Sequence, residues 1–377
     1  MLSQRGYKIA YAFSDHFEVI IPETALFYPI KAKFIQLINS PQGQTLMGKA
    51  SILKKISALW FLYKKGKTIN EEIAAEHQKA ISEFNPDLII HNPKSSYPIL
   101  WSLKTKKDNV ILSPVPFVIH PVDNHPHIGI NINLGRFLNR LSYKLSNFGL
   151  VKTINDTQKA LPQPTNYSKK EIYKAILKSK LGFSITPQLF ERPSKWPNHV
   201  QIIGYHERHK AAKCIPNVEI EIKEFLERHS KVVFLTFGSM LNSNSKEISE
   251  LFYEALSKLK IPCIVNTALG GLIPIEKFKL NPNFLWVKEI PYDWIFPKVY
   301  AVIHHGGSGT THTSLKHGLA TLIIPHIIDQ YTWNNLISKN KLGPRGVSIN
   351  KVDSKNLIDL ISSLYHTKEY KIKAEQL

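Results

Sequence analysis

Cysteine is nearly absent. Only Cys214 and Cys263 occur, which excludes a disulfide framework and a cysteine-based zinc site. Long apolar runs are missing too: none approaches the ~20 residues needed to cross a bilayer, and Met1 opens no signal-peptide core. Both absences point to a reducing, cytoplasmic setting. Acidic residues are scarce, with 29 Asp and Glu against 49 Lys and Arg, for a formal charge of +20. Such a surplus favours polyanions, acidic membrane surfaces or phosphorylated substrates. Nucleic acid is not the expected partner, because no zinc finger, RNP-type motif or heptad-backed basic region accompanies the charge.

What is present suits a globular α/β protein. Hydrophobic residues make up 43% and aromatics 10% of the chain, and 377 residues fit two domains of roughly 150–200 each. Short β-branched runs alternate with helical stretches. Strands are expected at 8–13, 87–91, 109–112, 200–203, 231–237, 262–266, 283–287, 300–303 and 321–324, with helices at 70–84 and 245–259 among those between them. Several of the strands are continuously apolar, as strands covered on both faces of a parallel sheet are. Strand–helix alternation over the whole length implies doubly wound architecture. Pro187, Pro193, Pro197 and Pro216 interrupt it among polar residues. The expected division is an N-terminal domain over 1–205, a linker over 206–230 and a C-terminal domain over 231–377.

The basic residues are densest at Lys49, Lys54, Lys55, Lys64, Lys65 and Lys67, flanking an apolar and aromatic segment from Ile56 to Tyr63. Two readings compete. The segment is a buried piece of helix with solvated lysine ends, which we take as the working expectation, or it lies in the interface of an anionic membrane.

The densest chemistry lies at residues 304–330. An apolar strand runs into His304-His305-Gly306-Gly307-Ser308-Gly309-Thr310-Thr311, and the next residues open a helix. Unpaired amides and the positive end of the helix dipole then point at one spot, which makes an anion site. Beyond a second strand, Asp329 and Gln330 sit together. A carboxylate beside an amide supplies acceptors and donors for two neighbouring hydroxyls. A phosphate cradle followed by a hydroxyl-binding pair suits a nucleotide sugar.

Five stretches carry a resemblance to family 1 glycosyltransferases of the GT-B fold, and within them to the branch acting on sterols, macrolides and glycolipids. These are Ile203-Gly204-Tyr205, Phe237-Gly238-Ser239-Met240, the segment Ile290 to Pro297, His304 to Thr311, and Pro325 to Trp333. The resemblance implies two Rossmann-like domains facing a cleft. It implies diphosphate contacts from Ser239, His304, Gly306, Gly307, Ser308, Gly309 and Thr310. Nucleoside contacts would come from Ile290, Pro291 and the place of His312, and donor-sugar contacts from Asp329 and Gln330. His305 packs under the loop or joins it, and Trp333 either walls the sugar pocket or belongs to the core. The implied activity is metal-independent, inverting transfer of a hexose from a UDP-sugar to the hydroxyl of a lipophilic acceptor. No Asp-x-Asp tripeptide is present to hold a metal, and oriented donors can stabilise a leaving diphosphate instead. No cofactor is expected.

The N-terminal half departs from the family. Members open with a strand and a Gly-x-x-Gly-Asp or His-bearing turn that supplies or orients the general base. Here Arg5-Gly6-Tyr7-Lys8-Ile9 resembles the later Arg-Gly-His-x-Val stretch. Three expectations follow: the sequence is a piece of a longer protein, it is a non-catalytic nucleotide-sugar binder, or another residue is the base. Asp15, His16 and His120, with His125 and His127 behind them, are the candidates. A nucleotide-sugar epimerase of the same fold is disfavoured by the adjacent Asp329-Gln330 pair.

Overall fold

The computed structural model describes residues 2–31, 33–38, 40–47, 51–207, 216–238, 240 and 244–377. Ser239, Lys49 and Cys214 therefore lie outside the described residues. Eleven strands among those described form three parallel sheets. β1 (Ala10–Ser14) and β2 (Leu26–Ile30) pair with each other. β3 (Ile89–His91), β4 (Asn109–Ser113), β5 (Lys180–Phe183) and β6 (Val200–Ile202) make a four-stranded sheet in that order. β7 (Val233–Thr236), β8 (Cys263–Asn266), β9 (Phe284–Val287), β10 (Ala301–His304) and β11 (Ala320–Ile323) make the third. Its order is β11-β10-β7-β8-β9.

Every residue of β7, β8, β10 and β11 is buried, as expected where helices cover both faces of a sheet. Two strands were not expected. β2 carries Pro29, whose missing N–H confines it to an edge, and β5 is four residues with Gly182 inside. The stretch read as a linker contains the helix Pro216–Arg228, whose Ile222 and Phe225 pack with Phe234, Ile264 and Val302. The structured C-terminal body thus begins before residue 231. The helix expected from residue 70 starts instead at Ile52 and runs to Phe84, with Ser51 accepting from the Lys54 amide as its cap.

The expectation of a buried Ile56–Tyr63 segment is not met. Ala58 is buried, while Ile56, Leu59, Trp60 and Tyr63 are exposed. Leu181, Phe183 and Trp196 of the first body share one buried cluster with Ile323, Trp333 and Ile337 of the second. The two α/β bodies are therefore joined by a continuous apolar core.

Behind the site, the chain after residue 342 passes closely over β11. The Gly346 amide donates to Asn334 Oδ1 at 2.9 Å, and Asn334 Nδ2 donates to the Gly346 carbonyl at 2.8 Å. A Cβ on Gly346 would lie 1.8 Å from the Ile323 carbonyl oxygen. Gly346→Ala is expected to destabilise the fold by about 1–3 kcal/mol, read as a lowered urea midpoint. Gly149→Ala, on a helix with nothing within 4 Å of the added carbon, is expected to stabilise the fold by about 0.5–1 kcal/mol, read as a raised midpoint.

Candidate functional site

In strand order the third sheet reverses direction between β7 and β10. At such a switch point the loops leaving the two carboxyl ends diverge and open a crevice. His304 is in register with Thr236 across that boundary. The loops that follow therefore begin with Phe237 and Gly238 on one side and run through His305–Gly307 on the other. Gly306 adopts φ +95°, and a Cβ there would meet Ile323 Cγ2 at 2.6 Å. Only glycine fits this turn.

Gly307 then caps the helix Ser308–Lys316 with no side chain over its end. The first helical bond runs from the Thr311 amide to the Gly307 carbonyl, 2.9 Å. The Ser308, Gly309 and Thr310 amides precede it and face outward at the positive end of the dipole.

His304 is fully buried at the base of this turn. Its Nδ1 accepts from the Gly306 amide at 3.0 Å, so the neutral ring carries its proton on Nε2. That Nε2 is buried without a hydrogen-bond partner, a condition that costs about 1–3 kcal/mol. His305 and His326 stand in line with it, at ring-centre distances of 6.1 and 6.5 Å along the row. His305 Nδ1 and His326 Nε2 are also unpartnered, while His326 Nδ1 donates to the Ile324 carbonyl at 2.9 Å. Burial holds His305 and His326 neutral, at about 4, with a neighbouring imidazole lowering His305 further. His304 lies well below its ordinary value of 6.5 for the same two reasons.

Asp329 and Gln330 begin the helix Ile328–Lys339 that follows β11. Gln330 Oε1 accepts from the His326 and Ile327 amides, at 2.7 and 3.1 Å. The amide therefore caps its own helix and leaves its NH₂ group to donate. Burial raises the Asp329 carboxyl above its ordinary range, and the charge of Lys94 in the loop after β3 acts against this. Trp333 is fully buried and packs in the shared core.

Several side chains named from the sequence serve the contact between the two bodies. Ser308 Oγ donates to the Pro114 carbonyl at 3.1 Å. His312 is stacked on Tyr205 at 4.2 Å between ring centres. Its Nδ1 donates to the Ser308 carbonyl at 2.7 Å, and its Nε2 accepts from the Thr186 amide at 3.4 Å. Both nitrogens being engaged, His312 offers no free atom to a ribose. Ile290 is buried among Val287, Phe234 and Ile295, so it can meet a ligand only through its backbone, and Pro291 caps the short helix after it.

The acid–base candidates have neighbours of their own. Asp15 and His16 follow β1 and are half exposed, with His16 Nδ1 2.8 Å from Asp15 Oδ1, a contact that lowers the Asp15 carboxyl. His120 is buried and neutral at about 4, chiefly through burial, beside His199. His127 Nε2 is bound to Ser146 Oγ at 2.9 Å, and His125 stacks on Phe117.

Other polar groups at the switch point were not anticipated. Thr236 Oγ1 gathers the Tyr292 hydroxyl at 3.0 Å, the Gly238 amide at 3.1 Å and Asn266 Nδ2 at 3.2 Å. Asn266 Oδ1 is buried and unpartnered. A Thr or Asn as the last residue of an otherwise apolar strand is the signal that could have marked them. Tyr205 and His312 were each named from the sequence, but not their stacking on one another.

Comparison with known proteins agrees with this geometry. Residues 276–377 match the family of erythromycin biosynthesis protein CIII-like C-terminal domains. That stretch resembles the C-terminal domains of family 1 glycosyltransferases. The sterol 3-beta-glucosyltransferase UGT80B1 of Arabidopsis thaliana is 34% identical over 176 residues, covering 47% of this chain and 28% of that protein. A sterol 3-beta-glucosyltransferase of Saccharomyces cerevisiae is 30% identical over 186 residues, covering 48% and 15%. The chain thus spans less than a third of the length of these curated relatives. Among solved structures, the kitacinnamycin glycotransferase superposes with a TM-score of 0.68 at 14% identity, over 100% of this chain and 87% of that one. Rice Os79 in complex with UDP gives 0.64 at 12% identity, over 100% and 89%. The chain has the GT-B fold.

The row of neutral imidazoles makes the domain acid-sensitive. These groups hold fewer protons folded than unfolded, so their contribution to stability is complete above about 6.5 and is lost as pH falls toward 4. The melting temperature is expected to be flat above pH 7 and to drop steadily below 6.5. In His326→Phe the drop should be shallower by about one proton, measured by calorimetry across pH 4.5–8.

Proposed function

We propose that this chain transfers a hexose, glucose, from a uridine diphosphate sugar to the hydroxyl of a lipophilic acceptor such as a sterol, glycolipid or macrolide-like compound. Transfer proceeds with inversion and without a metal ion. One observation carries the reading. The unpartnered Nε2–H of His304 is buried at the turn leading into a helix whose N-terminus no side-chain hydrogen bond caps, one strand from a carboxylate and an amide at the start of the next helix.

In this reading the bond between the anomeric carbon and the diphosphate oxygen breaks, and its electron pair leaves with the diphosphate. The Ser308, Gly309 and Thr310 amides and His304 Nε2–H receive that charge as fixed donors, which need no reorganisation in a dry site. Asp329 accepts from sugar hydroxyls, and the Gln330 NH₂ donates to one. The acceptor oxygen attacks from the opposite face of the sugar and gives up its proton. Uridine and a sterol-like acceptor are supported by the rice protein solved with UDP and by the named activity of the plant and yeast relatives.

A second reading is nucleotide-sugar binding without transfer. It is favoured by the state of the base candidates: Asp15 and His16 bond to each other at the surface, and His120 is buried and neutral beside His199.

Transfer from labelled UDP-glucose to a sterol in detergent tests both. Asp329→Ala and Gln330→Ala are expected to lower transfer by about a hundredfold while UDP affinity stays within a few-fold. His304→Ala should weaken UDP binding itself, and EDTA should leave the rate unchanged. UDP binding without turnover would establish the second reading, and absence of UDP binding would overturn both.

A further inference from the structure

The helix Ile52–Phe84 carries an apolar ladder that nothing among the described residues covers. Leu53, Ile56, Trp60 and Tyr63 recur at helical spacing and are exposed, Leu53 by 80% and Trp60 by 61%. Ala58, Gly66 and Ile69 occupy its buried side. A second ladder runs along the helix Arg136–Ala160, where Phe137, Leu145 and Phe148 are exposed, Phe148 by 62%.

The two helices lie side by side and run the same way. Lys152 Nζ is 3.4 Å from the Tyr63 hydroxyl, a separation of 89 residues, and Lys67 pairs with Asp156 at the same offset, 3.9 Å. That offset sets Ile56 level with Leu145 and Leu59 level with Phe148. Two exposed ladders therefore form one face. A contiguous apolar face on a soluble fold marks an interaction site.

Charge identifies the partner. No acidic residue occurs between Glu23 and Glu71, or between Asp123 and Asp156. Lys54, Lys64, Lys65, Lys67, Lys144 and Lys152 lie within those two stretches and are exposed. Arg136 and Arg140 turn to Asp123, at 3.5 and 3.2 Å, and Lys67 to Glu71 and Asp156, both at 3.9 Å, so Lys54, Lys64, Lys65, Lys144 and Lys152 carry the excess. Lys64 Nζ sits 3.9 Å over the Trp60 ring, an arrangement in which the stem covers apolar surface and the charge stays at its edge. A second copy docking on this face would bring two acid-free basic rims together, which like-charge repulsion opposes. No helix among the described residues is long and apolar enough to cross a membrane, so the face lies on a bilayer rather than through it.

We propose that these paired helices form a docking face for anionic lipid bilayers, with Trp60, Phe148 and their neighbours entering the headgroup boundary and the lysines pairing with lipid charge. The face acts independently of the transfer chemistry.

The test is co-sedimentation of the full chain with vesicles of phosphatidylcholine alone, or of phosphatidylcholine with about 30% phosphatidylglycerol. The chain is expected to pellet with the anionic vesicles and to bind the neutral ones at least tenfold more weakly. The double change Trp60→Ser and Phe148→Ser should lower binding by about tenfold or more. Lys64→Glu with Lys152→Glu should remove the preference for anionic lipid, and both variants should keep the parent's circular dichroism and melting temperature. Equal binding by parent and variants, or equal binding to both vesicle types, would overturn the proposal. So would a chain that ignores vesicles but sediments as a dimer that Trp60→Ser and Phe148→Ser dissolves.

Discussion

Everything at the candidate site depends on β10 lying between β7 and β11. Because neighbouring strands are in register, the ends of all three reach one level, His304 beside Thr236 and Ile323. The β7 loop, the glycine turn and the Asp329 helix must then share one small space. Gly306 is where that crowding is resolved, since a side chain there would enter Ile323 and Gln330. The glycine turn and the Asp329-Gln330 pair are therefore two outlets of a single strand arrangement.

The same crowding leaves polar atoms buried without partners. His304 Nε2, His305 Nδ1, His326 Nε2 and Asn266 Oδ1 lie around the switch point. Unpaired buried groups cost stability, so their concentration in one place is a local deficit, offset by the apolar strands beneath. Preorganised catalytic sites hold their dipoles in this way: the fold, not the ligand, meets the cost of orienting them. Neutral imidazoles suit the arrangement, because a neutral ring can be buried where a cation could not.

Much of this was legible in the sequence, and the limits have physical causes. β7 to β11 announce themselves because a strand covered on both faces must be apolar throughout, and the turn at Gly306 and Gly307 is written in residue types that few other conformations require. β5 is different: Lys180-Leu181-Gly182-Phe183 becomes a strand only because β4 and β6 flank it, a non-local fact. The same holds for His312, whose partners Thr186 and Tyr205 belong to the other body. The Ile56–Tyr63 segment shows the converse. Periodicity reveals an apolar face on a helix, but not whether anything covers it.

The hydroxyl of Ser308 has one proton to give, and here it goes to the Pro114 carbonyl of the opposite body. The first turn of that helix is also where an anion would settle. The backbone amide of Ser308 faces the cradle while its hydroxyl holds the opposite body, so one residue faces both the cradle and the seam.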